Sequence, residues 1–295
     1  MKTQSIGTLY VVATPIGNAE DIGARAIRVL READSIACED TRRTGRLLTE
    51  HQITTPMVSY FEHNEARRIP ELIARMEAGE TIALVADAGT PAISDPGYRL
   101  VQAAISAGIR VSAVPGPSAV IAALSIAGIP TDRFVFEGFL PAKAGDRKRA
   151  LERLRSESRT IVFYEAARRL IETLETMIEV FGADRNAVVT RELTKTYEEV
   201  ARGSLAELLA RFTAQEPLGE VTIVVAGAIE THAESVSKSG FDEATAMVLL
   251  RDRGLSLKDA SEVIAKLTGA RRRDVYQRAL RSDLPPAPLS KEKGD

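Results

Sequence analysis

Three stretches of the sequence combine glycine or proline with small polar residues directly after apolar runs that read as buried strands. They are Thr14–Asn18, Asp87–Gly97 and Pro115–Ala119. Glycine lets a ligand lie against the backbone, and proline stiffens a loop, so that less entropy is lost on binding. Because the carboxyl ends of parallel strands share one edge of a sheet, we predict that the loops form one small-molecule site. Three unrelated strand-to-helix turns are the alternative, which the repetition disfavours.

The form of these loops limits the ligand. None of them is a G-x-G-x-x-G loop after a strand, which argues weakly against a dinucleotide. Pro115-Gly116-Pro117 predicts a sharp turn that brings a helix N-terminus to the sheet edge, with Ser118 as its N-cap. The free N–H groups there suit a carboxylate or a phosphate.

Composition indicates a globular protein of about two domains. The chain has 295 residues, is 44% hydrophobic and 27% charged, and has a net charge of -2. The single cysteine, Cys38, excludes an intrachain disulfide and fits the reducing cytosol, so we predict a cytoplasmic protein. Three histidines and one cysteine form no metal-ligand pattern, and no apolar run is long enough to cross a membrane. We therefore predict neither a metal site nor a membrane partner.

The element pattern predicts an α/β fold with a helical C-terminal module. Residues 7–130 alternate strands and helices, as in a parallel sheet, and residues 131–230 do so less regularly, as in a mixed sheet. Phe134–Pro141 reads as a bridge between these two domains. Residues 240–283 give three short helices with a basic face, typical of a helix-turn-helix module or of a basic helical cap. Thr231–Gly240 is predicted to be a linker, and the chain from Leu284 to be disordered.

Local basic segments are the only electrostatic sign of a nucleic-acid partner. Lys143–Arg155 reads as an exposed helix with six Lys or Arg among its thirteen residues, and Arg271–Arg273 lie together in the C-terminal module. Either segment contacts RNA phosphates or forms a solvated helix face.

Six motifs in this order resemble the tetrapyrrole methylase superfamily. They are Thr14–Asn18, Glu39-Asp40-Thr41-Arg42, Asp87–Gly97, Val114–Ala119, Phe136–Pro141 and Glu192–Lys195. The second and third motifs resemble its ribosomal branch, and the resemblance covers about residues 7–281. It implies two α/β domains of the tetrapyrrole methylase type with the cofactor cleft between them, a small C-terminal helical module and usually a homodimer.

The resemblance also implies a reaction and a cofactor. The branch uses S-adenosylmethionine to methylate the 2′-hydroxyl of a cytidine in the decoding centre of 16S rRNA, which makes 16S rRNA or the small ribosomal subunit the partner. By position, the implied cofactor contacts are Pro15, Asp87, Gly89, Ile93, Ser118, Ala119, Phe139, Tyr164, Leu193 and Thr222. The candidate RNA contacts are Arg42, Arg43, Lys143, Arg147, Lys148, Arg271, Arg272 and Arg273.

A ribose hydroxyl is a weak nucleophile, so a general base would assist its methylation. Asp40, His63 and Lys195 are the candidates, because each lies at or just after the carboxyl end of a predicted strand. Asp40 is placed first, since it lies between Glu39 and Arg42. A helix cap at Asp40 and a surface or capping histidine at His63 are the plainer interpretations.

Two alternative functions remain for the whole chain. One is methylation of a small tetrapyrrole, and the other is that of a non-enzymatic RNA-binding α/β protein.

Overall fold

The computed structural model describes residues 6–215, 217–228 and 242–281. In the first half, strands and helices alternate as predicted. The elements are β1 Thr8–Val12, α1 Ala24–Glu32, β2 Ser35–Cys38, α2 Thr41–Glu50, β3 Met57–Ser59, α3 Glu65–Glu77, β4 Ile82–Leu84, α4 Tyr98–Ser106, β5 Arg110–Val114 and α5 Ala119–Ala127. Asn18 caps a short 3-10 turn, Ala19–Asp21, and α1 begins after it at Ala24.

The first sheet is parallel, with the strand order β3-β2-β4-β1-β5. Separate apolar clusters cover its two faces, one around Leu30 and Ile36 and the other around Leu72 and Leu100. Such double coverage explains why the strands read as continuous apolar runs. Because β4, β1 and β5 are neighbours, the loops that follow them are brought together at one edge of the sheet.

The second sheet is mixed, as predicted. Its elements are β6 Phe134–Phe139, α6 Ala144–Glu152, β7 Thr160–Ala166, α7 Leu170–Phe181, β8 Asn186–Arg191, β9 Glu199–Ser204, α8 Leu205–Ala214 and β10 Glu220–Val225. The order is β6-β7-β10-β8-β9, with β6 parallel to β7 and the other pairs antiparallel. The segment predicted as a bridge is therefore the first strand of this sheet, with a register shift between Phe136 and Gly138.

Helix α5 joins the cores of the two sheets. It leaves the first sheet after β5, and its Val120 and Leu124 pack in one cluster with Val162, Val188 and Val224 of the second sheet. A helix that is apolar on most sides is expected in such a buried position. Both sheets belong to one compact unit that ends at Gly227.

The C-terminal unit contains the three predicted helices. They are α9 Glu243–Asp252, α10 Leu257–Thr268 and α11 Arg272–Arg281. Met247, Ile264 and Val275, one from each helix, are buried in a shared core. Ser256 caps α10 through the N–H of Asp259, and Gly269 ends that helix in the left-handed conformation. The predicted linker and the tail from Leu284 lie outside the described residues. None of the described helices is long and apolar enough to span a membrane.

Candidate functional site

Hydrogen bonds tie the three glycine- and proline-containing loops of the first sheet to one another. Thr14 and Gly89 exchange two backbone hydrogen bonds of 2.9 and 3.0 Å, and the Thr14 hydroxyl donates to the carbonyl of Ala86. The Thr90 hydroxyl donates to the carbonyl of Pro117 at 3.3 Å. The loops after β1, β4 and β5 are therefore one connected surface, as the repetition of their residue types predicted.

A cavity of about 340 Å³ lies between this surface and the second sheet. The first sheet contributes Ile16, residues 88–90, residues 93–95, Ser118 and Ala119, and the second contributes Phe139, residues 164–166, Thr190, Leu193 and residues 219–222. The lining is mostly apolar with a few hydroxyls and carboxylates, the usual composition of a small-molecule site. Ile93 and Phe139 are exposed apolar side chains at its walls, 46% and 57% accessible.

Backbone strain is concentrated in two loops that face the cavity. Ala92 and Ser94, after β4, have φ angles of 69° and 62°, and Glu192 and Thr194, after β8, have 50° and 65°. Left-handed φ values are uncommon for residues other than glycine and persist only where the surroundings enforce them. Four of the five such residues in the described chain lie in these loops, which supports a functional role for this cavity.

The loop after β8 is held by a charged network. The Lys195 ammonium donates to Glu192 at 2.9 Å and to Glu220 at 3.0 Å. Burial lowers the pKa of Lys195, but the hydrogen bonds to these two carboxylates outweigh burial and raise the pKa overall. The Thr194 hydroxyl accepts a hydrogen bond from the N–H of Asn18 at 3.0 Å, which links this loop to the first sheet.

A second cavity, of about 280 Å³, adjoins the first and shares Ile16, Ala88 and Glu220 with it. Pro15, Arg43, Asp87 and Lys195 also line it. The N–H of Asp40 donates to Asp87 at 3.0 Å, and the Arg43 guanidinium lies 3.5 Å from the same carboxylate. Asp87 thereby fixes the start of α2 against the loop after β4.

Burial, with repulsion from nearby carboxylates, raises the pKa of two acidic residues at the ends of neighbouring strands, Asp95 and Glu39. Burial, followed by repulsion from Glu39 and Asp87, raises the pKa of Asp95 to about 6. Burial also raises the pKa of Glu39, with Asp87 as the next cause. A site that concentrates negative charge in this way favours a positively charged ligand.

The family model for the Tetrapyrrole (Corrin/Porphyrin) Methylases matches residues 8–209, which include every residue that lines either cavity except Gly219 to Thr222. The chain belongs to this family. A second model, described as the RsmI C-terminal HTH domain, matches residues 240–283. The family resemblance of the six motifs is thus confirmed.

Two curated relatives align with nearly the whole of this chain. A protein of Pseudomonas aeruginosa is 48% identical over 94% of this chain and 98% of its own length, and one of Escherichia coli O157:H7 is 44% identical over 94% and 96%. Both are named Ribosomal RNA small subunit methyltransferase I. The resemblance to the ribosomal branch is confirmed by these matches.

Solved structures share the methylase fold. The uroporphyrin-III-C-methyltransferase of Thermus thermophilus superposes with a TM-score of 0.54 at 22% identity, covering 79% of this chain and 97% of that one. The protein APE0931 of Aeropyrum pernix K1 gives 0.61 at 18% identity over 94% and 96%. A Thermus thermophilus uroporphyrin-III C-methyltransferase complexed with S-adenosyl homocysteine gives 0.52 at 18% identity over 74% and 97%. These likenesses establish the two-sheet tetrapyrrole methylase fold.

The ten residues predicted to contact the cofactor divide between the two cavities. The larger cavity is lined by Gly89, Ile93, Ser118, Ala119, Phe139, Tyr164, Leu193 and Thr222. Pro15 and Asp87 line the adjoining one. Ser118 is the N-cap residue of α5, but its hydroxyl makes no capping hydrogen bond. That hydroxyl is therefore left available to a ligand in the cavity.

The three candidate bases lie in different surroundings. The Asp40 carboxylate caps α2 and accepts from the Arg42 side chain, and these hydrogen bonds lower its pKa to about 2. Lys195 is held as a cation by two carboxylates. His63 is exposed, edge-on to Phe61, and lines neither cavity. These surroundings disfavour all three as proton acceptors, and the plainer interpretation of Asp40 as a helix cap is the one that the structure supports.

Arg147 is not on the exposed face that the basic segment predicted. It is 3% accessible, and its guanidinium donates to the Thr176 hydroxyl at 3.1 Å and to Glu172 at 3.3 Å. The 3.6-residue period of the helix turns this one arginine of α6 towards α7, whereas Lys143 and Lys148 are exposed. Arg42, Arg43 and Arg271–Arg273 are exposed or partly exposed, in keeping with their assignment as candidate RNA contacts.

Replacing Arg147 with alanine is expected to lower the free energy of unfolding by about 2–3 kcal/mol, because it leaves a cavity and removes the buried hydrogen bond that the Thr176 hydroxyl accepts. Lys148→Ala, the neighbouring surface variant that loses the same charge, is expected to leave the free energy of unfolding nearly unchanged. Urea denaturation of both variants measures the difference. Equal stabilities would contradict the interior role of Arg147.

Sequence reasoning missed one acidic residue that lines the site and one that supports a loop of the site. Asp95 lies within the long loop after β4 and lines the larger cavity. Glu65, the first residue of α3, is 5% accessible and accepts from the Tyr60 hydroxyl at 2.7 Å and from the N–H of Gly97 at 3.2 Å. Asp95 could have been found from the sequence, because it lies in the Asp87–Gly97 loop, which was predicted to form part of the site. For Glu65 no sequence signal distinguished a buried anchor from a helix-start carboxylate.

Proposed function

We propose that this chain transfers a methyl group from S-adenosylmethionine to the 2′-hydroxyl of a cytidine in the decoding centre of 16S rRNA. The carrying observation is the match over 94% of the chain to relatives named Ribosomal RNA small subunit methyltransferase I. The ribose position and the cytidine rest on the motif resemblance to the ribosomal branch. The reaction takes place in the cytoplasm, on 16S rRNA or the small subunit.

The larger cavity suits S-adenosylmethionine by its residues. This cofactor carries a positive sulfonium, an adenine and an amino-acid group, and it supplies an electrophilic methyl. Apolar walls at Ile16, Ile93 and Phe139 suit the adenine, and the α5 N-terminus with the Ser118 hydroxyl suits a carboxylate. The carboxylates of Asp95 and Glu165 at the same cavity favour a cation.

Positioning is the main contribution that the protein itself makes to such a transfer. The acceptor oxygen must lie in line with the bond that breaks, and a fixed geometry can supply several kcal/mol of the barrier reduction. Three loops locked together by Thr14 and Thr90, facing a loop locked by Lys195, provide a rigid frame. The adjoining cavity, with Arg43 at its wall, is the proposed entry of the RNA.

The C-terminal module is proposed to hold RNA through its basic face. Arg271, Arg272 and Arg273 are all exposed at the start of α11. Reversing all three charges is expected to weaken binding to 16S rRNA at least tenfold and to flatten its salt dependence, because each lost phosphate contact reduces the slope. Filter binding at several salt concentrations measures both quantities.

A matched variant controls for net charge. Arg25, Arg28 and Arg31 are exposed on α1, and their reversal changes the charge of the chain by the same amount. If both triple variants lose affinity equally, the effect is one of overall charge and the assignment to α11 is contradicted.

A homodimer is also proposed, as the resemblance implies. Large apolar side chains are exposed on α4 and α5, namely Tyr98, Ile105 and Ile121, each more than half accessible. Burial of such side chains is a common reason for association. Sedimentation at micromolar concentration tests this, with a monomer as the contradicting outcome.

The reaction is tested by transfer of labelled methyl to small subunits that lack the modification, followed by digestion of the RNA to nucleosides. Label in 2′-O-methylcytidine is the expected result. Label in a base would overturn the ribose assignment, and no label together with normal cofactor binding would favour the alternative of a small tetrapyrrole substrate.

A further inference from the structure

Asp95 differs from the other carboxylates that line the larger cavity, Glu165 and Glu220, in having no hydrogen-bond or ion-pair partner. It lines the larger cavity and is partly buried. In the part of the chain that the structure describes, its carboxylate makes neither a hydrogen bond nor an ion pair. A half-buried carboxylate without a partner carries a desolvation cost that a purely structural residue would not retain.

The other two carboxylates of the larger cavity, and two of those near it, are paired. Glu165 accepts from the Thr173 hydroxyl at 2.7 Å and from the N–H of Ala166 at 2.8 Å. Glu220 binds Lys195. Asp40 and Asp87 are engaged by arginines and by backbone N–H groups at the start of α2. Of the carboxylates that line the larger cavity, Asp95 alone therefore makes no hydrogen bond or ion pair and has both oxygens open to a substrate.

The groups that face Asp95 favour its acting as a base near neutral pH. Burial is the main cause that raises its pKa to about 6, and Glu39 after β2 and Asp87 in its own loop add repulsion. Tyr164 of β7 faces it from the second sheet, and burial also raises the pKa of that phenol, which is therefore neutral there. A general base works best when its pKa lies near the operating pH.

We propose that Asp95 is the general base of the methyl transfer, taking the proton of the attacking ribose hydroxyl. This inference rests on the proposed function. As the oxygen–carbon bond forms, the carbon–sulfur bond breaks and its electron pair stays on sulfur. The hydroxyl proton passes to a carboxylate oxygen of Asp95 and then to water. Asp40, which is already bound by Arg42, keeps its role as a helix cap.

The activity test uses single turnovers of the full-length chain on unmodified small subunits at saturating cofactor. Wild-type protein is expected to show a rate that rises about tenfold per pH unit below about pH 6 and is level above it. Asp95→Asn is expected to lose at least 100-fold at pH 7.5 and to lose the pH-dependent limb. Asp95→Glu, which keeps a carboxylate, is expected to recover part of the rate and the limb. Asp184→Asn, an exposed residue in the turn after α7, is the matched control with wild-type behaviour.

A second readout does not depend on activity. The folded state holds the Asp95 proton more tightly than the unfolded state, so the stabilisation from this group is complete below about pH 4 and is lost as the pH rises to about 6. Asparagine cannot ionise. The melting temperature of Asp95→Asn relative to wild type is therefore expected to increase between pH 4 and pH 6 and to stay constant above that range. If the difference in melting temperature between Asp95→Asn and wild type does not change with pH, Asp95 does not bind its proton more tightly in the folded state, and this part of the proposal is overturned.

The outcomes separate this inference from the proposed function. If wild-type protein labels 2′-O-methylcytidine and Asp95→Asn keeps the wild-type rate and pH profile, the role of Asp95 is refuted while the function stands. If wild-type protein labels a base, both are refuted, since no hydroxyl proton is then removed. Loss of activity in Asp95→Asn at saturating cofactor, together with recovery in Asp95→Glu, supports the proposal.

Discussion

Replacing Gly17 with alanine is expected to weaken S-adenosylmethionine binding at least tenfold and to lower kcat/KM about 100-fold. A Cβ at this position would lie 2.5 Å from Lys195 Cγ, 2.8 Å from Thr194 Oγ1 and 2.9 Å from the carbonyl oxygen of Leu193. The lysine chain can bend away, but the Leu193 carbonyl belongs to the backbone of a strained loop. That loop must move away from the first sheet, and a displacement of about 1 Å at a reacting site typically costs about 100-fold in rate.

Gly23→Ala is the matched control for this variant. No atom lies within 4 Å of the Cβ that it would add, and the φ of Gly23 is -70°, which alanine adopts readily. Isothermal titration with S-adenosylmethionine measures the affinities, and melting curves check that both variants are folded. Wild-type affinity in Gly17→Ala would mean that the contact between the Thr14–Asn18 loop and the loop after β8 does not shape the site.

Replacing Glu65 with alanine is expected to lower the free energy of unfolding by about 3 kcal/mol. The change leaves the buried Tyr60 hydroxyl and the N–H of Gly97 without their acceptor, and each such group costs about 1–3 kcal/mol. Gly97 ends the long loop after β4, so cofactor affinity is expected to fall as well. Partial relaxation around the removed side chain keeps the total below the sum of the separate costs.

The control for Glu65 comes from the same helix. Glu77, in the last turn of α3, is exposed, and its replacement by alanine is expected to change stability by no more than about 0.5 kcal/mol. Urea denaturation with a common slope compares the two. Equal losses would contradict the role of Glu65 as a buried anchor of the site.

The fold was largely predictable because its signals are local. Continuous apolar runs followed by amphipathic helices predicted the parallel first sheet, and less regular alternation predicted the mixed second sheet. The sequence did not show that Phe134–Phe139 is a strand of the second sheet, because a strand that begins a new sheet and a strand-like bridge into a new domain share one pattern. Helix α5 also gave no sign that it packs on the second sheet, since an apolar helix does not reveal which surface it covers.

The site was predicted less completely, because pairing and burial depend on tertiary contacts. The loops that line the cavities follow from glycine, proline and hydroxyl residues at strand ends. The candidate bases were chosen by residue type and by their place at strand ends. Neither shows that the Arg42 side chain donates a hydrogen bond to Asp40, or that repulsion from Glu39 and Asp87 helps to raise the pKa of Asp95. Arg147 was placed on a basic face because its charge is visible in the sequence and its partners on α7 are not.

The most direct test of this account is a crystal structure of the chain soaked with S-adenosylhomocysteine, the demethylated product of the proposed cofactor. The central claim is that the cavity between the two sheets binds this cofactor. The expected result is the ligand inside the larger cavity, contacting Gly89 and Ser118 from the first sheet and Phe139 and Thr222 from the second. A ligand bound elsewhere, with this cavity left empty, would contradict the account.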